Sequence, residues 1–201
     1  MTTKFKCEHY NAEDDSVFVC KNCDKLRLKL PKYDFYSALG MKVEFAPDLD
    51  LLEEKYEEMM EVLHPDLFVN ASESEKAASI KYSAILQEAK KTLSTPVASA
   101  FYILKLFDKA HTKDLIRPSQ SFLQEMFLLN EEFNENKEDP QFLHKITKMY
   151  EDRLLTLKKL FAEFFKNSDF VMDDLYENLG QFKFISNLYY NATGEPQKAH
   201  F

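Results

Sequence analysis

Glycine is scarce in this chain, with three in 201 residues. Sheets with many tight turns need more, because glycine supplies the positive φ angles that turns require. No glycine cluster exists to cradle a phosphate. Positive charge is also in deficit: 26 Lys and Arg stand against 34 Asp and Glu, a formal net charge of -8. Nucleic-acid binding rests on a basic footprint that neutralises phosphates, and an anionic membrane surface attracts the same kind of patch. Both partners are disfavoured. No apolar run approaches the roughly 20 residues that span a bilayer. The amino-terminal stretch MTTKFKCEHYNAEDD has neither a secretory apolar segment nor an acid-poor transit pattern, so the expectation is an intracellular protein. Three cysteines, two of them as C-x-x-C, argue against a secreted disulfide framework and toward a metal or redox site.

Good helix formers dominate the middle of the chain, hydrophobic residues make up 45% of it, and the expected fold class is all-α. Residues 1–30 form a small irregular element that holds every cysteine and a short β-like Val17-Phe18-Val19 run. Asp34 caps a short helix from Phe35 to Leu39, with Gly40 as its stop. Asp48 caps the next, whose apolar residues Leu49, Leu52, Tyr56, Met59 and Leu63 recur at helical spacing. It ends near Leu63, because Pro65 disfavours helical dihedrals at His64. Ser72 and Glu75 have the spacing of a capping box. The helix they open carries Tyr82, Leu86, Ala89 and Leu93 on one face. Pro96 begins another, with Val97, Phe101, Leu104 and Phe107 or Asp108.

A polar connector, 108–117, leads to Pro118. Three amphipathic helices follow over 118–191. One holds Phe122, Met126, Leu129 and Phe133. The second holds Phe142, Ile146, Met149, Leu154, Leu157 and Phe161. The third begins near Ser168-Asp169 and holds Val171, Leu175, Leu179, Phe182 and Ile185. Short connections between them predict an antiparallel three-helix bundle. Residues 192–201 read as a flexible tail.

Between two amphipathic helices stands His64-Pro65-Asp66, preceded by D-F-Y-S-A-L-G. A lone H-P-D means only a helix ending at a proline with a turn after it. Here the order is short helix, long helix, H-P-D, long antiparallel helix, and this resembles the J-domain family. The run H-P-D-L-F-V-N-A-S-E-S-E-K, then Y-S-A-I-L-Q-E-A-K-K-T-L-S-T-P-V-A-S-A-F-Y-I-L-K-L and F-L-Q-E-M-F-L-L-N-E-E-F, resembles more narrowly the HscB, or Jac-type, co-chaperones across roughly residues 20 to 190. The resemblance implies a J-domain with its connecting helix over 31–107, followed by the bundle. It implies no catalysis on this chain. A DnaK-type heat-shock chaperone would dock at His64, Pro65, Asp66 and Lys55 and have its ATP hydrolysis stimulated. The chemistry suits this: Pro65 fixes the loop backbone, Asp66 can accept a charge-assisted hydrogen bond from a partner arginine, and His64 offers a polar contact of fixed direction.

The same resemblance implies a second partner, an iron–sulfur cluster scaffold protein of the IscU type. Its binding surface would be Leu123, Gln124, Phe127, Leu128, Glu131, Glu135 and Phe184. By pattern alone the extra apolar residues Leu123, Phe127 and Leu128 read as a broad buried face; the resemblance reverses that preference. The chain departs from the family in several places. Its second J-domain helix carries Glu53, Glu54, Glu57, Glu58 and Glu61 where basic residues are usual. Gln124 replaces an apolar residue and Leu128 an acid. Ser99 stands where arginine is common. Mitochondria are the compartment implied by eukaryotic relatives, the cytoplasm the alternative. The oligomeric state, a homodimer included, stays open.

Cys20 and Cys23 have a chelating spacing for zinc, and Cys7 and His9 are the nearby donors that could complete four ligands. Eukaryotic relatives carry two C-x-x-C pairs here; in this chain Lys4 and Tyr10 occupy the places that would complete the first. The alternatives are a degenerate site or a redox dithiol. No βαβ pattern supports a thioredoxin-like role. Three other readings compete with the leading one. They are a J-domain protein with another client, a metal- or thiol-dependent enzyme, and a helical adaptor whose H-P-D is accidental.

Overall fold

The computed structural model describes residues 4–6, 13–107, 118–137 and 139–194. Cys7 and His9 lie outside them. The described chain is all-α apart from one short antiparallel pairing, β1 (Phe5–Lys6) with β2 (Glu13–Asp14). Helices follow in order: α1 (Phe35–Ala38), α2 (Leu49–Leu63), α3 (Glu73–Leu93), α4 (Pro96–Leu106), α5 (Gln120–Glu135), α6 (Pro140–Lys166) and α7 (Asp173–Thr193). A 3-10 turn, Pro65–Phe68, joins α2 to α3.

Local signals set the boundaries. Asp34, Asp48 and Ser72 each accept hydrogen bonds from first-turn backbone N–H groups that would otherwise be orphaned. Ser72 and Glu75 complete a capping box. Gly40 takes a left-handed φ of 67° to end α1. Two expectations shift. The last helix begins at Asp173, so Val171 lies ahead of it and is exposed. It also runs through Ala192 and Thr193, stopping at left-handed Gly194, so that part of the expected tail is helical.

The chain divides into two compact units. One holds residues up to Val43 together with Pro47–Ser94; the other holds Glu44–Ala46 and the chain from Thr95. The division falls before α4, so α4 goes with the second unit rather than with the helices preceding it. Its Val97, Ala100, Ile103 and Leu104 are buried, and α4 packs against α7.

In the first unit α2 and α3 run antiparallel. The start of α2 meets the end of α3 through the Glu53–Lys90 ion pair, and the end of α2 meets the start of α3 through Leu63 and Ser79. Leu52, Leu63, Tyr82, Leu86, Ala89 and Leu93 are buried between them, with Tyr36 and Leu39. Phe18 is fully buried and stacks on Tyr82 at 4.9 Å. The amino-terminal element thus shares this core, and burying a side chain of that size stabilises by about 1.5–3 kcal/mol. The β-like reading of Val17–Val19 survives only as a single bridge, Val19 to Leu26.

In the second unit α5, α6 and α7 form the bundle. Glu132–Lys145 and Phe133–Phe142 join the end of α5 to the start of α6. Arg153–Asn178 and Tyr150–Tyr189 set α6 antiparallel to α7. Phe122, Met126, Leu129, Phe142, Ile146, Ile185 and Leu188 are packed together inside.

Candidate functional site

His64 closes α2: its N–H still donates to the Met60 carbonyl, while its own backbone is extended (φ -58°, ψ 132°), as a residue before proline must be. Pro65 opens the 3-10 turn, held by a hydrogen bond from Leu67 N–H to the His64 carbonyl. The His64 Nδ1 accepts from the Asp66 N–H at 3.3 Å, which leaves Nε2 as the outward donor. The Asp66 side chain is 87% exposed. The tripeptide is therefore a rigid prominence offering one donor and one carboxylate, neither consumed within the described residues by a strong internal bond.

The Leu63 carbonyl just before it would be an unsatisfied acceptor at a helix end. Two buried serines of α3 satisfy it: Ser79 Oγ donates at 2.7 Å and Ser83 Oγ at 3.2 Å. These two residues were missed in the sequence. Their signal was small polar residues at i and i+4 on the apolar stripe of Tyr82 and Leu86. Lys55 sits one face away from an open cation: its ammonium is 2.7 Å from Glu58 and 3.7 Å from Glu54. The hydrogen bond it donates to Glu58 outweighs desolvation and holds its pKa above the ordinary lysine value. Glu53, Glu54, Glu57, Glu58 and Glu61 are all exposed, giving α2 an acidic outer face.

In the other unit, Leu123, Gln124, Phe127 and Leu128 line one open groove of about 440 Å³, and Gln120 completes its wall. Phe127 is 63% exposed and Leu128 64%. The bundle is closed by the stripe at Phe122, Met126 and Leu129, so the second apolar row of α5 is left over and faces solvent. Glu131 and Glu135 are exposed one and two turns further along. Phe184 of α7, half exposed, reaches Phe122 edge-on with ring centres 6.4 Å apart. A patch of aromatic and aliphatic anchors with carboxylates at one end is the composition of a modest protein interface. Gln120 was not foreseen, since a polar residue at a helix start signals only capping.

The cysteine turn is built tightly. The Cys20 carbonyl accepts from the N–H groups of Cys23 at 3.3 Å and Asp24 at 2.8 Å, and Asp24 takes a φ of 54° to turn the chain. One turn thus carries both cysteines of the C-x-x-C pair. Among the described residues no third His, Cys, Asp or Glu joins them as a donor group. The Cys20 thiol donates to Asp14 Oδ2 at 3.2 Å, and Arg27 Nη2 donates to that oxygen at 2.6 Å. Burial alone would raise the Asp14 pKa. Hydrogen bonds from Ser16, Cys20 and Arg27, with the Arg27 charge, outweigh it and leave the carboxyl below its ordinary value.

No family model matches the chain. The mouse "Iron-sulfur cluster co-chaperone protein HscB" is 33% identical over 116 residues, which is 57% of this chain and 49% of the mouse protein. The chain thus spans about half the length of that relative. The human protein of the same name is 26% identical over 172 residues, 85% of this chain and 72% of the human one. Among solved structures, human HscB superposes with a TM-score of 0.71 at 23% identity, covering 90% of each chain. HscB from Vibrio cholerae gives 0.66 at 24% identity, covering 81% of this chain and 96% of its own. The two structural likenesses carry the fold, and the two sequence likenesses are to proteins named as HscB co-chaperones.

Proposed function

We propose that this protein is a co-chaperone of iron–sulfur cluster assembly, without catalysis of its own. The loop at His64, Pro65 and Asp66 engages a DnaK-type chaperone and stimulates its ATP hydrolysis. The groove at Leu123, Gln124, Phe127 and Leu128, extended by Glu131, Glu135 and Phe184, holds the cluster scaffold protein. The observation that carries this reading is the pairing of two unlike exposed features in one chain. A rigid polar prominence sits on one unit and an uncovered apolar groove on the other. Delivering a client to a chaperone needs one surface for each partner and no reactive centre between them. The mammalian relatives are named as iron–sulfur cluster co-chaperones, which supports the client class.

Zinc is the proposed resident metal of the amino-terminal element. Cys20 and Cys23 would supply two thiolates from one turn, with Cys7 and His9 the remaining donors. Its part there is structural, cross-linking a segment too small to hold itself together by burial.

The test is a steady-state ATPase assay with the cognate DnaK-type chaperone, with and without the scaffold protein. Stimulation by the wild-type chain that disappears in His64→Gln supports the chaperone half. Capture of the scaffold that weakens in Phe127→Ala supports the client half. Stimulation with no scaffold capture would make the chain a J-domain protein for another client. Undiminished stimulation by His64→Gln would sink the central claim.

A further inference from the structure

His64 Nδ1 stands between two groups of one residue. The Asp66 N–H donates to it at 3.3 Å, and the Asp66 Oδ2 lies 3.7 Å from it. A ring nitrogen serves one of these at a time. Without a proton, Nδ1 accepts from the N–H and has nothing to offer the carboxylate. With a proton, it is repelled by the N–H and donates to the carboxylate. Histidine is the side chain whose charge ordinarily changes between pH 5 and 8. The two contacts therefore belong to two charge states of one ring. The Asp66 side chain is 87% exposed, so it is free to turn and close the longer gap. Pro65 between them, with the bonds from His64 N–H to Met60 and from Leu67 N–H to His64, holds the backbone in place for both arrangements.

We infer that protonation of His64 closes the docking loop, because the charged ring takes the Asp66 carboxylate that the chaperone needs. The inference rests on the co-chaperone reading above and adds a pH gate to it. In the neutral state the loop offers a donor at Nε2 and an unengaged negative carboxylate. In the charged state the two side chains neutralise each other, and a partner cation must break an internal ion pair before it binds. Docking is thus strongest where the ring is neutral and fades as pH falls through its titration. Other charged groups surround the loop. On α2, Glu61 and Glu57 lie about one and two turns behind His64 and are exposed. On α3, which packs against the turn, Glu75 and Lys76 precede Ser79 by one turn on the face that reaches Leu63. Glu75 is bound to Ser72, and Lys76 is paired with Glu73. Among the described residues, Asp66 is the carboxylate at ion-pair distance from the ring.

The experiment follows the imidazole and carboxyl signals of the full-length protein by NMR from pH 8 down to pH 5. His64 is assigned by the signals missing from His64→Gln. At pH 8 the ring should carry its proton on Nε2 alone. Ring nitrogens, Asp66 amide and Asp66 carboxyl carbon should then change together in one transition, and in Asp66→Asn the ring should become charged only at lower pH. A proton on Nδ1 at pH 8, an Asp66 carboxyl that does not follow the ring, or an unmoved ring transition in Asp66→Asn overturns the inference. The titration is repeated with the unlabelled chaperone bound. The ring should now stay neutral to a pH lower by about one unit, which corresponds to about tenfold weaker docking of the charged form. A transition that is unmoved, or displaced upward, overturns the gate and leaves the co-chaperone reading standing so long as the chaperone binds and is stimulated. Absence of docking at pH 8 overturns both.

Discussion

The loop at His64 and the groove at Phe127, the two surfaces proposed to meet partners, are built in opposite ways. The loop is polar, three residues long and held by its own backbone, with proline fixing the chain and serines from a neighbouring helix holding its base. The groove is apolar and spread over one helix face, and it exists because the bundle needs only one of the two apolar rows that α5 carries. A site of the first kind depends on identity at each position, since a missing donor has no substitute. A site of the second kind depends on summed area and tolerates drift. If the contrast is right, single substitutions at the two places will produce different classes of defect.

The largest effect is expected at the loop. His64→Gln should reduce ATPase stimulation to the unstimulated rate while circular dichroism and scaffold capture stay at wild-type values. Next comes the groove. Truncating an anchor in a well-packed interface costs about 2 kcal/mol or more, so Phe127→Ala should weaken scaffold binding by roughly thirtyfold, read by titration calorimetry, with ATPase stimulation unchanged in the absence of scaffold. Loss of both activities from either variant would collapse the comparison, because the two surfaces would then not be independent. Ser79→Ala gives a third, intermediate outcome. Removing one buried donor from the Leu63 carbonyl should lower stability by about 1 kcal/mol, seen as an earlier denaturant midpoint, and should blunt stimulation without abolishing it.

How much of this was readable in the sequence follows the same division. Caps, the proline after Leu63 and the left-handed Gly40 are decided by neighbours within four residues, and the boundaries of α1 to α3 follow from them. The H-P-D loop is local in that sense as well. Exposure of Leu123, Phe127 and Leu128 is not local: their pattern alone suits a broad buried face, and the packing of α6 and α7 with the Phe122–Met126–Leu129 row leaves them out. Ser79, Ser83 and Arg27 escaped notice because their partners lie far away in sequence, from 11 residues for Arg27 and Ser16 to 55 for Tyr82 and Arg27. The late start of α7 has a similar origin, with Val171 suiting the apolar period yet finding nothing to pack against.

The smallest expected effect tests whether the loop's frame is as locally determined as its sequence suggests. Glu75 closes the capping box at the start of α3, where its carboxylate accepts from the Ser72 hydroxyl at 2.6 Å and the Ser72 N–H at 3.0 Å. The Ser72 hydroxyl hydrogen bond, then the backbone one, hold its pKa below the ordinary glutamate value of 4.5. A carboxyl depressed on folding contributes stability that is fully present above its unfolded pKa and is lost as pH falls through its folded one. Thermal unfolding of the wild type followed downward from pH 5 should therefore include a loss from this group that Glu75→Gln does not show. The carboxamide oxygen of Gln can still accept from Ser72, so the variant should keep the helix start and differ chiefly in its flatter acid profile. An unchanged profile would mean that the exposed cap adds nothing to the ionised state. The frame beneath the His64 loop would then rest on the buried Leu63–Ser79–Tyr82 side of α3 alone.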